Sequence, residues 1–421
     1  MNGADDTIFA LSSGRGKAGI AVIRISGRDC LQAVGSHALK PRMATVVGFH
    51  DIDNLVAIYF KAPASFTGED LLELHCHGGA AVVEAVFAKL RGFGFRMAEA
   101  GEFSRRAFQN GKMNLIEIDA MRALIDARTE RQRKRALSSL VGSDGAVYMK
   151  WREDMIELAA LSAARMDYAS DELPGDIGIA IAARLKALLD KIAKALSSKA
   201  HKIERGFNIV ISGGVNVGKS SLFNRLLGES RAIVSDVPGT TRDVISAELD
   251  LGGFYARLLD TAGLRESADE IEKAGIDKAL DQAKNADIVL RVIEPTESVR
   301  KVAPDEIIVV NKSDLIKDAE PKIADAVYVS AKTGRGVSEL LDRIRRELDG
   351  QAGEDDLVVT QRIRGHLIKA AENLSLALAE NLAETESEHI ALAADEIGLI
   401  LGFIGSDEIY DSVFGQLCLG K

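Results

Sequence analysis

The sequence predicts a multidomain fold of mixed α/β and α+β class: an N-terminal α+β domain, a helical domain split in two, and an α/β domain with a mostly parallel sheet set into the split. Three observations predict it. The chain has 421 residues, too many for one ordinary core. Between about residues 206 and 349, apolar runs of strand length each stop at a polar or glycine-bearing turn. On either side the sequence is rich in alanine, leucine and charge, with apolar residues three and four apart. With 47% hydrophobic and 28% charged residues and no apolar run long enough to cross a bilayer, the chain reads as soluble. Its polar, acidic N-terminus lacks the regions of a signal peptide, so a cytoplasmic location is expected, without membrane attachment. Cys30, Cys76 and Cys418 are far apart and odd in number, which suits reduced thiols.

In chain order, residues 1–114 show β-like runs at 19–25 and 55–60 and a helical stretch at 80–91, which together predict a compact α+β domain. His75-Cys76-His77 invites a metal reading, but alternating residues on one strand leave the set a ligand cluster short. Residues 115–205 form the first helical part, with Met155, Leu158, Ala159 and Leu161 at helical spacing and Pro174-Gly175 as a loop between helices. Within it Arg128, Arg131, Arg133, Lys134 and Arg135 stand against Glu130 alone, either as a solvated helix face or as a place for RNA phosphates. The formal charge of −10 argues against a surface that coats nucleic acid as a whole. Residues 206–349 are the α/β domain. Residues 350–421 open on an acidic linker and continue as the second helical part from Gln361. Neither helical flank looks self-sufficient, so the two are expected to pack as one bundle around the inserted domain.

The inserted domain carries the chemistry. Gly213-Gly214-Val215-Asn216-Val217-Gly218-Lys219-Ser220-Ser221 follows an apolar strand and opens a helix, the setting of a phosphate-binding loop. Backbone N–H groups there can close around phosphates, Lys219 can reach the β and γ phosphates, and the Ser220 hydroxyl suits magnesium. Asp260-Thr261-Ala262-Gly263 ends a strand, placing a carboxylate for magnesium and a glycine N–H near the γ phosphate. Asn311-Lys312-Ser313-Asp314 ends another. An aspartate there accepts from N1–H and the exocyclic amine of guanine, which adenine does not offer, so the nucleotide is GTP. Ser330-Ala331-Lys332 fits a loop packed on the guanine ring. The arrangement predicts a P-loop, Ras-like GTPase domain.

For hydrolysis, the position after Asp-x-x-Gly is Leu264 where many GTPases carry glutamine. Glu272, on the following segment, is the choice for positioning water, against the alternative of a solvated helix carboxylate. The loop Ser235-Asp236-Val237-Pro238-Gly239-Thr240-Thr241 supplies a second hydroxyl for magnesium, Thr241. Arg242 as an arginine finger ranks below a solvent-facing arginine or one paired with Asp243. Asn216 brings an amide oxygen that can bind a monovalent cation beside the β and γ phosphates, standing in for an arginine's charge.

Outside the nucleotide motifs, Gly14-Arg15-Gly16, Ile23-Arg24-Ile25-Ser26-Gly27, Phe66-Thr67-Gly68-Glu69-Asp70, His77-Gly78-Gly79, residues 101–108 and the tail Cys418-Leu419-Gly420-Lys421 closely resemble the MnmE (TrmE) tRNA-modification GTPases, end to end. The resemblance implies an N-terminal domain that dimerises and binds 5-formyl- or methylene-tetrahydrofolate, and potassium-dependent dimerisation of the GTPase domain that stimulates hydrolysis. It implies a heterotetramer with the flavoprotein MnmG (GidA), the flavin being on that partner, and modification at C5 of the wobble uridine of certain tRNAs with a carboxymethylaminomethyl group. Carried over by motif, folate falls to Arg24, Glu73, Lys112 and Lys421; potassium to Asn216, Ser235, Val237 and Thr240; magnesium to Ser220 and Thr241; catalysis to Glu272. Cys418 is then a tail cysteine near the folate site. The sequence departs from the family at Val215, Ser12-Ser13, Ala100 and Leu419, none of them a proposed ligand. Two other readings are a ribosome-assembly GTPase, which should carry an RNA-binding appendage such as a KH domain, and a folate-binding scaffold whose GTP site only regulates assembly. No Gly-x-x-Gly clamp in a basic setting follows the nucleotide unit, and Lys219, Ser220, Thr241 and Glu272 weigh against an inactive site.

Overall fold

The computed structural model describes residues 6–35, 38–167, 177–229, 231–232, 246–260, 286–296, 303, 305–316, 323–351, 357, 359–380 and 382–403. In chain order come strands β1 (Ile8–Leu11), β2 (Ala18–Ser26), β3 (Thr45–Phe49), β4 (Asp53–Phe60) and β5 (Leu71–Gly78), helix α1 (Ala80–Gly92) and strand β6 (Arg96–Met97). Helices α2 (Glu102–Gln109), α3 (Leu115–Asp126), α4 (Glu130–Leu140), α5 (Ser143–Asp167), α6 (Ile177–Ser197) and α7 (His201–Arg205) follow. Then come β7 (Phe207–Gly213), α8 (Lys219–Glu229), β8 (Arg231–Ala232), β9 (Ser246–Leu251), β10 (Phe254–Asp260), β11 (Ile288–Ile293), β12 (Glu306–Val310) and β13 (Val327–Tyr328). Helices α9 (Val337–Gln351), α10 (Gln361–Ala379) and α11 (Ala383–Leu401) close the order. The chain divides into two compact units: Met1–Arg122 with Leu140–Tyr168 and Asn381–Lys421, and Ala123–Ser139 with Ala169–Glu380.

The first unit holds a six-stranded sheet in the order β3-β4-β5-β2-β1-β6, antiparallel except where β1 meets β6. Strands β4 and β5 alternate, so Leu55, Ala57, Leu72 and Leu74 join Phe9, Ile23 and Ile25 in a core with Val86, Phe87 and Leu90 of α1. The other face of β2 and β5 brings Arg24 opposite Glu73. In the same unit α5 packs along α11. The fully buried Ser162 donates to the Ala383 carbonyl at 3.0 Å, and Arg165 pairs with Glu386 at 3.0 Å.

The second unit holds a seven-stranded sheet in the order β13-β12-β11-β7-β10-β9-β8, parallel from β13 to β10 with β9 and β8 antiparallel at one edge. Strand β7 is buried on both faces from Phe207 to Ile211, as strands of parallel sheets are, with Asn208 the polar residue among them. The core of the sheet takes Leu222, Phe223 and Leu226 from α8 and Leu340, Leu341, Ile344 and Leu348 from α9. Asp287, almost fully buried, fastens the chain where it enters and leaves this sheet. It accepts from Asn208 N at 3.0 Å, pairs with Lys202 at 2.7 Å and Arg205 at 2.8 Å, and offers its carbonyl to Gln351 Nε2 at 3.1 Å. The helices before and after the insertion meet here too: α6 packs on α10, with Arg364 donating to the Leu196 carbonyl at 2.8 Å. The expected association of the two flanks therefore takes the form of two helix pairs, α5 with α11 and α6 with α10, in different units.

The basic stretch at 128–135 divides: Glu130, Arg133 and Lys134 form an exposed, solvated helix face, whereas Arg128 and Arg131 reach other elements. Arg128 pairs with Glu248 of β9, Arg131 pairs with Asp349 at 2.9 Å, and Arg133 pairs with Glu130 at 2.8 Å. Among the described residues no set of His, Cys, Asp and Glu is placed to hold a metal, and His77 instead meets Asp53 at 2.8 Å. No helix of the described residues is long and apolar enough to cross a membrane. The Pro174-Gly175 loop lies outside the described residues.

Candidate nucleotide site

The phosphate loop runs from the end of β7 to the start of α8. Gly213 sits at φ +145°, where a Cβ would lie 2.2 Å from the Val292 carbonyl oxygen, and Gly218 at φ +95°, where a Cβ would lie 2.3 Å from Asn311 Nδ2. Both positions demand glycine on conformation and on space. Between them Asn216 adopts φ +64°, a left-handed conformation that asparagine tolerates better than most residues. Lys219 Nζ donates to the carbonyls of Gly213 at 3.2 Å and Gly214 at 2.7 Å, so its charge lies over the loop itself.

Two other strand ends converge on this loop. Asp260, at the end of β10, accepts the Ser220 hydroxyl at 2.8 Å. Beyond β12, buried Asn311 donates from Nδ2 to the Val217 carbonyl at 2.8 Å and accepts from Ala331 N at 3.0 Å. One amide thus ties the phosphate loop to the Ser330-Ala331-Lys332 loop. Lys312 takes φ +59° and pairs with Glu294 at 2.5 Å, and Ser313 N donates to the Val329 carbonyl at 3.0 Å. The buried Ser330 hydroxyl donates to Asp314, and that bond, with the Asp314 backbone N–H and the Lys332 charge, holds the Asp314 carboxyl below its ordinary range. It stays an ionised acceptor at neutral pH. Of the residues predicted for this site, 216–221, 260, 311, 312, 314 and 330–332 are described and gather at one end of the parallel sheet. Residues 235–241, 261–263 and 272 lie outside the described residues.

Residues 7–112 match the family description "GTP-binding protein TrmE N-terminus", and residues 115–418 match "MnmE helical domain". The tRNA modification GTPase MnmE of Parvibaculum lavamentivorans is 40% identical across 99% of this chain and 100% of its own length. The chain belongs to the MnmE family. The protein of that name from Chelativorans sp. is 41% identical across 99% of this chain and 98% of its own. Among solved structures, the G domain of the T. maritima FeoB iron transporter is 27% identical over 34% of this chain and 98% of that one, at a TM-score of 0.23. As a member of a GTPase family whose phosphate loop is intact, the protein is a GTP hydrolase.

In the first unit three of the predicted folate residues, Arg24, Glu73 and Lys112, are described. Arg24 donates from Nε at 3.2 Å and Nη2 at 2.9 Å to Glu73 Oε1, and its guanidinium lies 5.1 Å from the centre of the Phe66 ring and 5.9 Å from that of Phe103. Lys112 lies along the loop that carries Phe66, since a Cβ on Gly68 would fall 3.2 Å from its Cε. Lys421 and Cys418 lie outside the described residues. The sequence reading named the charged residues and missed Phe66 and Phe103 as their neighbours. The signal was present, as both rings belong to the motifs that carry the resemblance.

Proposed function

We propose that this chain hydrolyses GTP to drive a tRNA modification, with a flavoprotein of the MnmG type as partner and a tetrahydrofolate one-carbon unit bound by its N-terminal domain. On this reading the product is a carboxymethylaminomethyl-type substituent at C5 of the wobble uridine. The chain works as a homodimer through residues 1–114, with residues 206–349 inserted between helical parts 115–205 and 350–421. The observation that supports the GTP part is the pair of hydrogen bonds by which Asn311, within the same motif as Asp314, the proposed reader of guanine, ties the phosphate loop at Val217 to Ala331.

The donor sets suit the implied ions. Ser220 Oγ and Asp260 Oδ2, 2.8 Å apart, are oxygen donors of the kind a small hard cation takes, directly or through water. Ser220 and Thr241 would hold magnesium, which when bound offsets phosphate charge. Asn216 contributes one oxygen to a potassium site that Ser235, Val237 and Thr240 would complete. Lys219 neutralises the β and γ phosphates, the N–H groups of residues 217–221 donate to them, and Asp314 accepts from guanine. Glu272 would orient the attacking water, a contribution of typically about 10²–10⁴ in rate. The folate reading is supported by the chemistry of Arg24, Glu73 and Phe66: a cation for a glutamate tail, a carboxylate for an aminopyrimidine, and a ring for a ring.

The test is GTP turnover by the full chain in potassium and in sodium at equal ionic strength. Selective acceleration by potassium, lost in Asn216→Ala, with turnover lost in Glu272→Ala, supports the reading, and tRNA modification with the flavoprotein is then the next assay. Turnover indifferent to the cation and to both substitutions would falsify the cation-assisted mechanism.

A further inference from the structure

The β9–β10 hairpin is held at its tip by α4. Its two-residue turn, Gly252-Gly253, has φ of +70° and +95°, and the Gly253 N–H is fixed by Asp250 Oδ1 at 2.6 Å. Arg131 lies against this turn: its guanidinium sits 3.9 Å from the centre of the Phe254 ring, and a Cβ on Gly253 would fall 3.1 Å from its Cγ. Arg131 Nη2 also reaches Asp349, at the end of α9, at 2.9 Å. Just ahead of α4, Arg128 pairs with Glu248, whose other oxygen accepts the Tyr255 hydroxyl at 2.6 Å, and the Arg128 guanidinium lies 5.6 Å from the Tyr255 ring centre. Each arginine thus combines an ion pair with an aromatic contact on the same hairpin.

The hairpin is not a neutral place to hold. Strand β10 begins at Phe254, under Arg131, and ends at Asp260, which accepts the Ser220 hydroxyl in the nucleotide site. An extended strand of that length spans about 20 Å and does not stretch, so a displacement at one end appears at the other. Its pairing with β7 runs from Ala256 opposite Phe207 to Asp260 opposite Ile211, and buried side chains on both faces oppose any slip. Residues 123–139, which bear the two arginines, belong to this unit, whereas the chain on both sides of them belongs to the other.

We infer that Arg128 and Arg131 are positioning residues for the GTP site, acting through the hairpin, so that the nucleotide state sensed at Asp260 and the placement of α4 are linked. The inference rests on the GTPase identity of the site and not on the folate or potassium readings. Linkage requires that the grip differ between nucleotide states, and so α4 must alter the relative affinity for GTP and GDP.

The experiment titrates the full chain, with magnesium, against a fluorescent GDP and a fluorescent non-hydrolysable GTP analogue. Arg131→Ala is expected to change the ratio of the two dissociation constants by about fivefold or more. Arg131→Lys keeps a cation for the ring and for Asp349, and is expected to restore most of the native ratio. Phe254→Leu, which keeps apolar volume and removes the ring face, is expected to reproduce the Arg131→Ala shift and decides the question if Arg131→Ala does not fold. A purely structural role would lower the melting temperature and weaken both nucleotides alike. A ratio unchanged within twofold in the variants that fold overturns the inference.

Discussion

On the proposed reading, the chemistry of one carboxylate at Asp314 decides which base is read. Its pKa is held down by the Ser330 hydroxyl first and its own backbone N–H next, so it presents acceptors only. Asp314→Asn replaces one acceptor by a donor, which suits the 2-oxo group of xanthine and opposes the 2-amino group of guanine. Hydrogen bonds to a charged group contribute about 1.5–3 kcal/mol each. Loss of one such bond is expected to weaken GTP by at least about 10-fold and to improve xanthosine triphosphate, which competition titration would read. An unchanged preference would remove Asp314 from guanine recognition. This residue was legible because its motif ends an apolar run. The supports of Asp314 were not, since nothing local in the sequence tells that Ser330 will turn its hydroxyl to residue 314. Gly218 shows the same division. Its place in the loop pattern was plain, but the 2.3 Å approach to Asn311 that makes glycine obligatory comes from a residue 93 positions away.

Among the elements, α2 is fastened by charge. Glu102, in its first turn, accepts from Arg96 Nη2 at 2.6 Å and from Arg106 Nη2 at 3.4 Å, while Asp6 takes Arg96 Nε at 2.8 Å and Arg106 Nη2 at 2.7 Å. Burial by itself would raise the Glu102 pKa, but the bonds from Arg96 and the Glu99 N–H and the charges of Arg96 and Arg106 bring it below the ordinary 4.5. Because the folded value is the lower one, the unfolded chain takes up the proton first. The stabilisation is therefore complete above about pH 5 and is lost as pH falls through the depressed folded value. Trp151, the single tryptophan, is buried in the same unit and reports on it. Urea midpoints followed by its emission should fall on acidification below pH 5, and Glu102→Gln should cost about 2 kcal/mol at neutral pH and flatten that acid slope. A variant with the native slope would acquit Glu102. Residues 101–108 stood out as a motif, though not as a helix. The network was not readable, because Asp6 and Arg106 lie 100 residues apart.

For the whole molecule, the order of motifs suggested an insertion, whereas the division into two units could not be read from it. The pairing of α5 with α11 depends on contacts such as Arg165 to Glu386, separated by 221 residues, which no periodicity encodes. The described nucleotide residues all belong to one unit, and Arg24, Glu73 and Lys112 to the other. That separation has a thermodynamic consequence. A ligand that binds only the native form stabilises by about 2.7 kcal/mol at 100 times its dissociation constant, which is about 5–10 °C in melting temperature for a unit of this size. Magnesium and GDP should therefore raise the main calorimetric transition of the nucleotide-binding unit while Trp151 emission melts nearly where it did. A reduced folate should move the Trp151 transition instead. If either ligand moves both transitions equally, the units unfold as one body and the ligand sites are coupled by more than α4. If GDP produces a small Trp151 shift that Arg131→Ala abolishes, the arginine grip on the hairpin is the route, since residues 123–139, which bear Arg131, are joined at both ends to chain of the other unit.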